Sequence, residues 1–330
     1  MFPQVLGDNL KLLGLRDNFR MIYSQEEAEV DKRVNGYMDE FGSDAADSVY
    51  GMAESAAVAQ VWTEGTAIPT TAFRTQNFRV PNYKFGVAIP VAKTTIEDDQ
   101  IGLIMPRVME AALSMARLKE RHFFWALTGG AVSDAAQLQP TLNLAPDGVG
   151  LFSTLNGAGA ARFGVTNGNA IPGNGVATAA AVQLDLATVY AQFAGMLGTN
   201  GQPLHSPGVI NRALGCFFNS NNWGVFSAAV NQQFNVAASG NAAPSNVVID
   251  AAWKLELLAS PRITAAATWY AFIKDASFKS IFRQIREGAS EILAETGNSD
   301  MAREFDVLKF YIRSREGYGI SLPYNCVSVN

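Results

Sequence analysis

Cysteine is almost missing from this 330-residue chain: only Cys216 and Cys326 occur, far apart in sequence. That excludes a disulfide framework and the C-x-x-C spacing of structural zinc, and it is compatible with a reducing compartment. Histidine is equally scarce, with His122 and His205 in no His-Glu-x-x-His pattern. His122, followed by Phe123 and Phe124, reads as a packed side chain and not a metal ligand. No Gly-Lys-Ser/Thr closes a glycine-rich stretch, so a phosphate-cradling loop is excluded, and no Gly-x-Ser-x-Gly elbow occurs. The first 20 residues alternate Leu with Asp, Asn, Lys and Arg, which is not a signal peptide, and no uncharged run is apolar enough to span a membrane. Glu97-Asp98-Asp99 could hold a metal, but three adjacent side chains point in different directions, and helix capping is the better reading. The expectation is no catalytic centre, no cofactor and no metal.

Charge is sparse at 17% of residues, and it is distributed in blocks. The net charge of −5 argues against a surface dominated by nucleic-acid binding. From Asp17 to Glu64 there are eleven acids against Arg20, Lys32 and Arg33, a net of −8. From Gly65 to Ile96 there is no acid, while Arg74, Arg79, Lys84 and Lys93 give +4. Residues 163–249 hold only Asp185 and Arg212 as formal charges, with twelve Asn. A charge-free polar surface lets like copies pack closely without repulsion; a low-complexity loop region is the alternative. The acidic and basic blocks could complement each other between neighbouring molecules or simply pair within one.

What is present is enough apolar residue, 48%, to bury a real core. Phe78-Arg79-Val80 and Tyr83 to Val91 alternate as strands, punctuated by Pro69, Pro81 and Pro90, and predict a two-stranded extended hairpin. An isolated hairpin is marginal in water, so it must rest on something else. After the three acids, a long helical pattern runs to Leu127 and stops at Gly129-Gly130, with regular helix expected to start around Pro106. Its polar stripe is Arg107, Glu110, Ser114, Arg117 and Arg121; the rest is apolar or small, as in a helix covered on several sides. Residues 128–180 are rich in turn residues. Helical patterns return over Leu184–Leu197 and Trp223–Phe234. Strands follow at 247–249, 268–273, 278–285, 305–313 and 318–322, a mixed sheet closing against earlier helices in an α+β arrangement.

This order of parts resembles the HK97-type major capsid proteins of tailed phages, in detail the phage-Mu-type major head subunit. The residues that carry the resemblance are Ile96-Glu97-Asp98-Asp99-Gln100-Ile101-Gly102 leading into the long helix, and Asp147-Gly148 with Leu151-Phe152-Ser153. Trp269-Tyr270 followed by Phe278-Lys279-Ser280-Ile281, and Tyr311-Ile312-Arg313 with Gly317-Tyr318-Gly319, complete it. The resemblance implies an N-terminal arm at 1–60 and an extended E-loop at 61–96. It implies a peripheral domain with its spine helix at 97–180 and 301–330, and an axial domain at 181–300. Function would be mechanical: a major capsid protein, not an enzyme, self-assembling as pentamers and hexamers into the icosahedral head of a tailed bacteriophage around packaged dsDNA. Arg74, Arg79 and Lys84 of the E-loop would lie over the acidic arm (Glu26, Glu27 and Glu29) or the peripheral domain of an adjacent copy, and Arg107, Glu110, Arg117 and Arg121 would mark the spine helix. Portal and scaffold proteins are implied partners, with room for a cement protein; DNA would be touched weakly, and no membrane is involved. The location would be the virion, assembled in host cytoplasm. Some relatives carry a long N-terminal scaffolding segment, whereas here the arm begins within a few residues of Met1, so a separate scaffold or none is expected. Two other readings are an encapsulin-like nanocompartment shell and a soluble α/β enzyme.

Overall fold

The computed structural model describes residues 3–53, 75–92, 94, 101–131, 137–140, 144–145, 148–153, 168–198, 201–205, 213–231, 254–289, 292–294, 304–305 and 307–330. Arg74, the acids Glu97-Asp98-Asp99 and the apolar stretch 247–249 lie outside the described residues.

The acidic arm begins as a 32-residue helix, α1 (Pro3–Val34), and continues into strands β1 (Met38–Gly42) and β2 (Asp47–Ala53). The long helix comprises α2 (Ile101–Ala116) and α3 (Leu118–Leu127), joined through Arg117 at φ −80°, ψ −1°. Backbone hydrogen bonds from Arg117 N to Leu113 O and from Arg121 N to Arg117 O span the joint, so one residue bends the axis without ending the ladder. The expectation of a regular start at Pro106 is corrected. The helix begins at Ile101 and takes Pro106 in its second turn, at an exposed position, where the missing N–H costs a single hydrogen bond. All of α3 is buried.

Two sheets flank this helix. The first is organised on β11 (Val307–Ile320), whose one edge pairs antiparallel with β4 (Tyr83–Ala92) from Val307↔Ala92 to Glu316↔Tyr83. Along its other edge lie β10 (Ile292–Ala294) and then β9 (Ile281–Glu287), and β9 pairs in parallel with β1. Two expectations change here. The segments 305–313 and 318–322 are one continuous strand, because Gly317 and Gly319 are forced by neighbours and not by turns. A Cβ on Gly317 would stand 2.4 Å from Pro81 O, and one on Gly319 2.6 Å from the Phe282 ring. Nor do Phe78–Val80 and Tyr83–Val91 pair with each other. β3 (Thr75–Pro81) pairs with β2, from Asp47↔Pro81 to Ala53↔Thr75, while β4 leaves to join β11. The extended hairpin is therefore β2–β3. The fixed φ of Pro81, followed by Asn82 bound to Ala46 O, redirects the chain between the two sheets.

The second sheet has the order β5 (Ala170–Ile171), β12 (Cys326–Val329), β8 (Trp269–Ile273), β6 (Leu214–Asn219), β7 (Leu255–Ser260). Helices α4 (Ala179–Gly195) and α5 (Trp223–Asn231) cover it, with Val182, Leu186, Val189, Phe193 and Phe226 in one apolar cluster with Cys216, Phe218, Trp269 and Ala271. Thr178 caps α4, its hydroxyl accepting from Ala181 N. The lone acid of this charge-poor stretch, Asp185, is buried and accepts from Asn174 N and Nδ2, each at 2.7 Å. It fixes a turn and contributes nothing to the surface charge.

The buried α3 bridges the sheets. Phe123 packs on Phe217 and Phe272 of the second sheet, with centroids 5.1 and 5.9 Å apart, while His122 stacks on Tyr318 of the first at 3.9 Å. Among its contacts, His122 Nδ1 lies 3.0 Å from Leu118 O and Nε2 accepts from Gln139 N at 3.3 Å. Nδ1 therefore carries the proton, as in a neutral packed imidazole.

Candidate inter-subunit surfaces

Hairpin β2–β3 leaves the body at a polar root built on Gln284 of β9, which is fully buried. The Gln284 amide donates to Val80 O at 2.9 Å and Asn82 Oδ1 at 2.8 Å, and its carbonyl accepts from Tyr50 OH at 2.9 Å. Asn82 in turn donates to Ser43 Oγ and Ala45 O. The Tyr50 ring packs on Phe282, 5.2 Å between centroids, and Phe41 closes the cluster. At the root itself the outward face is open to solvent: Val49 is 67% exposed and Arg79 stands outward, paired with Asp47 on the facing strand. A two-stranded ribbon on a hydrogen-bonded base is shaped to lie on another surface.

The acidic arm lies on the spine helix through ion pairs within the chain. Glu26 accepts from Arg117 Nε at 2.6 Å, and Glu120 from Arg33 at 3.1 Å. The buried Lys119 ammonium uses three acceptors, Asp31 at 2.7 Å, Glu40 at 2.8 Å and Asn35 Oδ1. Glu40 also meets Arg283 at 3.2 Å, and Arg283 Nε donates to the fully buried Glu316. Glu316 further accepts from Ser314 Oγ at 2.8 Å and Tyr318 OH at 3.2 Å. Burial opposes ionisation of Glu40, but the hydrogen bonds and charges of Lys119 and Arg283 outweigh it and hold its carboxyl below the usual range. Burial and the Glu316 carboxylate raise the Tyr318 phenol well above its ordinary value.

The residues singled out from sequence thus fall in separate places. Glu26 and Arg117 meet each other; Glu27 accepts from Tyr23 OH at 3.0 Å and Glu29 from Lys32 at 2.5 Å. Arg107 and Glu110 are exposed, whereas Arg121 is buried with Nη2 on Gln137. Lys84 is exposed on β4, on a different sheet from Arg79. Gln284, Asn82, Arg283 and Glu316 were not legible beforehand. Each is an ordinary polar residue in an alternating strand or a turn, and its partners lie up to 243 positions away.

Residues 80–327 match the family described as phage capsid protein, and residues 12–139 match the Mu-like prophage major head subunit gpT. No curated protein sequence matches. In fold the chain is similar to the capsid of cyanophage P-SCSP1u at 9% identity and TM-score 0.52, covering 88% of this chain and 85% of that one. It is similar also to mycobacterium phage Adephagia (13%, 0.52, covering 90% and 88%) and to the mature capsid of bacteriophage PhiM1 (10%, 0.51, covering 89% and 85%). A long helix whose second half is buried between two sheets, a rooted hairpin and a docked arm define a mixed α+β shell protein of the HK97 capsid fold. The chain belongs to the phage capsid protein family. Its role is that of a shell-forming major capsid protein, a structural component of the virion built from many copies.

Proposed function

We propose that this chain builds the icosahedral head of a tailed phage, as pentamers and hexamers around packaged dsDNA, and that it performs no catalysis. The observation that carries this is the β2–β3 hairpin, which pairs with neither large sheet and is held on a polar root around Gln284. Further apolar side chains await cover: Leu184 and Trp223 are 58% and 50% exposed on α4 and α5, and Phe278 is 69% exposed. These support contacts between copies. In this reading the E-loop is the β2–β3 hairpin, which draws residues 47–53 from the expected 1–60 arm as well as 75–81 from 61–96, while 97–180 with 301–330 are peripheral and 181–300 axial. Arg74 and Lys84 contact the acidic arm of a neighbour, whereas Arg79, Glu26, Glu27 and Glu29 are already engaged within their own chain. Portal and scaffold proteins, and a cement protein, join the shell, which assembles in host cytoplasm. Electron microscopy with sedimentation on one preparation tests it: closed particles tens of nanometres across with pentamer and hexamer capsomers are expected, with DNA inside particles taken from infected cells. A monomer with a protease-protected hairpin overturns the shell reading, and native particles filled with protein cargo instead of DNA point to a nanocompartment.

A further inference from the structure

The outward face of β4 and β11 concentrates positive charge. Strand alternation turns Phe85, Val87, Ile89 and Val91 toward the core and leaves Lys84, Gly86, Ala88 and Pro90 outward. In register with them stand Arg315, Arg313, Tyr311 and Lys309. Small residues beside long cations leave an open cleft of about 460 Å³, bordered by Lys84, Gly86, Glu287, Arg313 and Arg315. Lys84 and Arg315 are directly opposite on adjacent strands, where like charges repel. Glu287, the acid of the cleft, is engaged by Arg313 at 2.9 Å. Arg315 Nε is buried with no hydrogen-bond partner among the described residues, and Lys84 has no ion pair among them. An uncompensated cation pair is relieved by one incoming oxyanion, and a shift of the Arg315 side chain toward it would give the buried Nε its acceptor.

We infer that this cleft binds a carboxylate from the acidic segment 17–64 of a second copy of the chain. The occupant follows from charge complementarity. That segment carries a net −8; Glu26, Asp31, Asp39, Glu40 and Asp47 are engaged within their own chain, while the exposed Asp44 has no partner among the described residues. The inference rests on the shell reading and deepens it. Lys84 acts with Arg313 and Arg315 on the sheet face, apart from Arg79, whose charge Asp47 already meets.

Particles assembled from an equal mixture of isotopically light and heavy protein, treated with a water-soluble carbodiimide, test it. The reagent joins an amine to a carboxyl in direct contact, and mass spectrometry reads the linked peptides. Mixed-isotope links from Lys84 to an acid within 17–64 are expected. Links only to Glu287, or to acids outside 17–64, overturn the inference. The variants Lys84→Glu and Arg315→Gln give a second readout: the protein concentration needed for shell formation should rise at least tenfold, with thermal unfolding of the subunit unchanged for Lys84→Glu. An unchanged concentration overturns the inference, as does intact assembly with a loss of packaged DNA, which assigns the cleft to phosphate. Particles without the link fail this inference alone, whereas absence of particles from the unaltered chain overturns both it and the shell reading.

Discussion

Replacing Glu316 by Gln keeps its shape and removes the negative charge on which the interior of the first sheet depends. The side chain is 1% exposed and accepts from Arg283 Nε, Ser314 Oγ and Tyr318 OH. Arg283, itself 9% exposed, would keep only Glu40, whose side chain is 38% exposed and shared with Lys119. Breaking a buried pair in this way costs about 3–5 kcal/mol, because the remaining charge stays desolvated. For a chain of 330 residues, an unfolding entropy of about 0.7 kcal/mol/K converts that loss into a drop of about 4–7 °C in the melting temperature. Calorimetry of unassembled subunits reads it directly. Removing both partners with apolar residues, Arg283→Met with Glu316→Leu, should recover a large part of the loss, since no isolated charge is left. A shift below about 1 °C for Glu316→Gln, or a double variant worse than the single one, refutes the account of a desolvated pair.

Gly317→Ala should force the hairpin root away from β11, because the new Cβ would meet Pro81 O at 2.4 Å; a cost of about 1–3 kcal/mol is expected, with faster amide exchange concentrated in β2 and β3. Acid should loosen the arm: the folded pKa of Glu40 lies below its reference value of 4.5, so its contribution is complete above that pH and is lost as pH falls through the folded value. A melting temperature followed against pH should show this, and Glu40→Gln should be less stable at neutral pH and flatter in acid. Cys216 is buried, with its thiol pushed up to about 12, and Cys326 is buried too; neither should react with a thiol reagent until the chain unfolds, and a rapid native reaction would contradict the packing.

The parts of this fold that were readable in advance are those whose cause is local. The apolar pattern from Val108 to Leu127 announced a helix covered on several sides, and the helical spacing of Leu186, Val189 and Phe193 placed α4. The pairing of Tyr83–Val91 was misread because its partner lies more than 200 residues downstream, while the nearer run Phe78–Val80 offered an equally plausible alternation. Gly317 and Gly319 looked like punctuation; they are smooth strand residues under pressure from Pro81 and Phe282. β6 was missed because Leu-Gly-Cys-Phe-Phe-Asn has no alternation when both its faces are buried. At the candidate surfaces, charge blocks pointed to the arm and the basic segment. Which charges are already neutralised inside the chain depends on tertiary neighbours such as Asp47 and Lys119, and no spacing rule supplies those.

The long strand β11 has a consequence for how the shell bears load. In the proposed DNA-filled head, internal pressure would stretch the shell within its own surface, and each subunit would pass that pull from one contact to the next. Ten consecutive residues of β11 are in register with β4, its far half is pinned by β9, and the Pro81 carbonyl packs closely over Gly317. A pull along the strand axis strains the bonds of that register together, whereas a pull across it would open them one after another. The hairpin and the sheet beneath it therefore form an anisotropic joint, strong along β11 and weak at right angles to it.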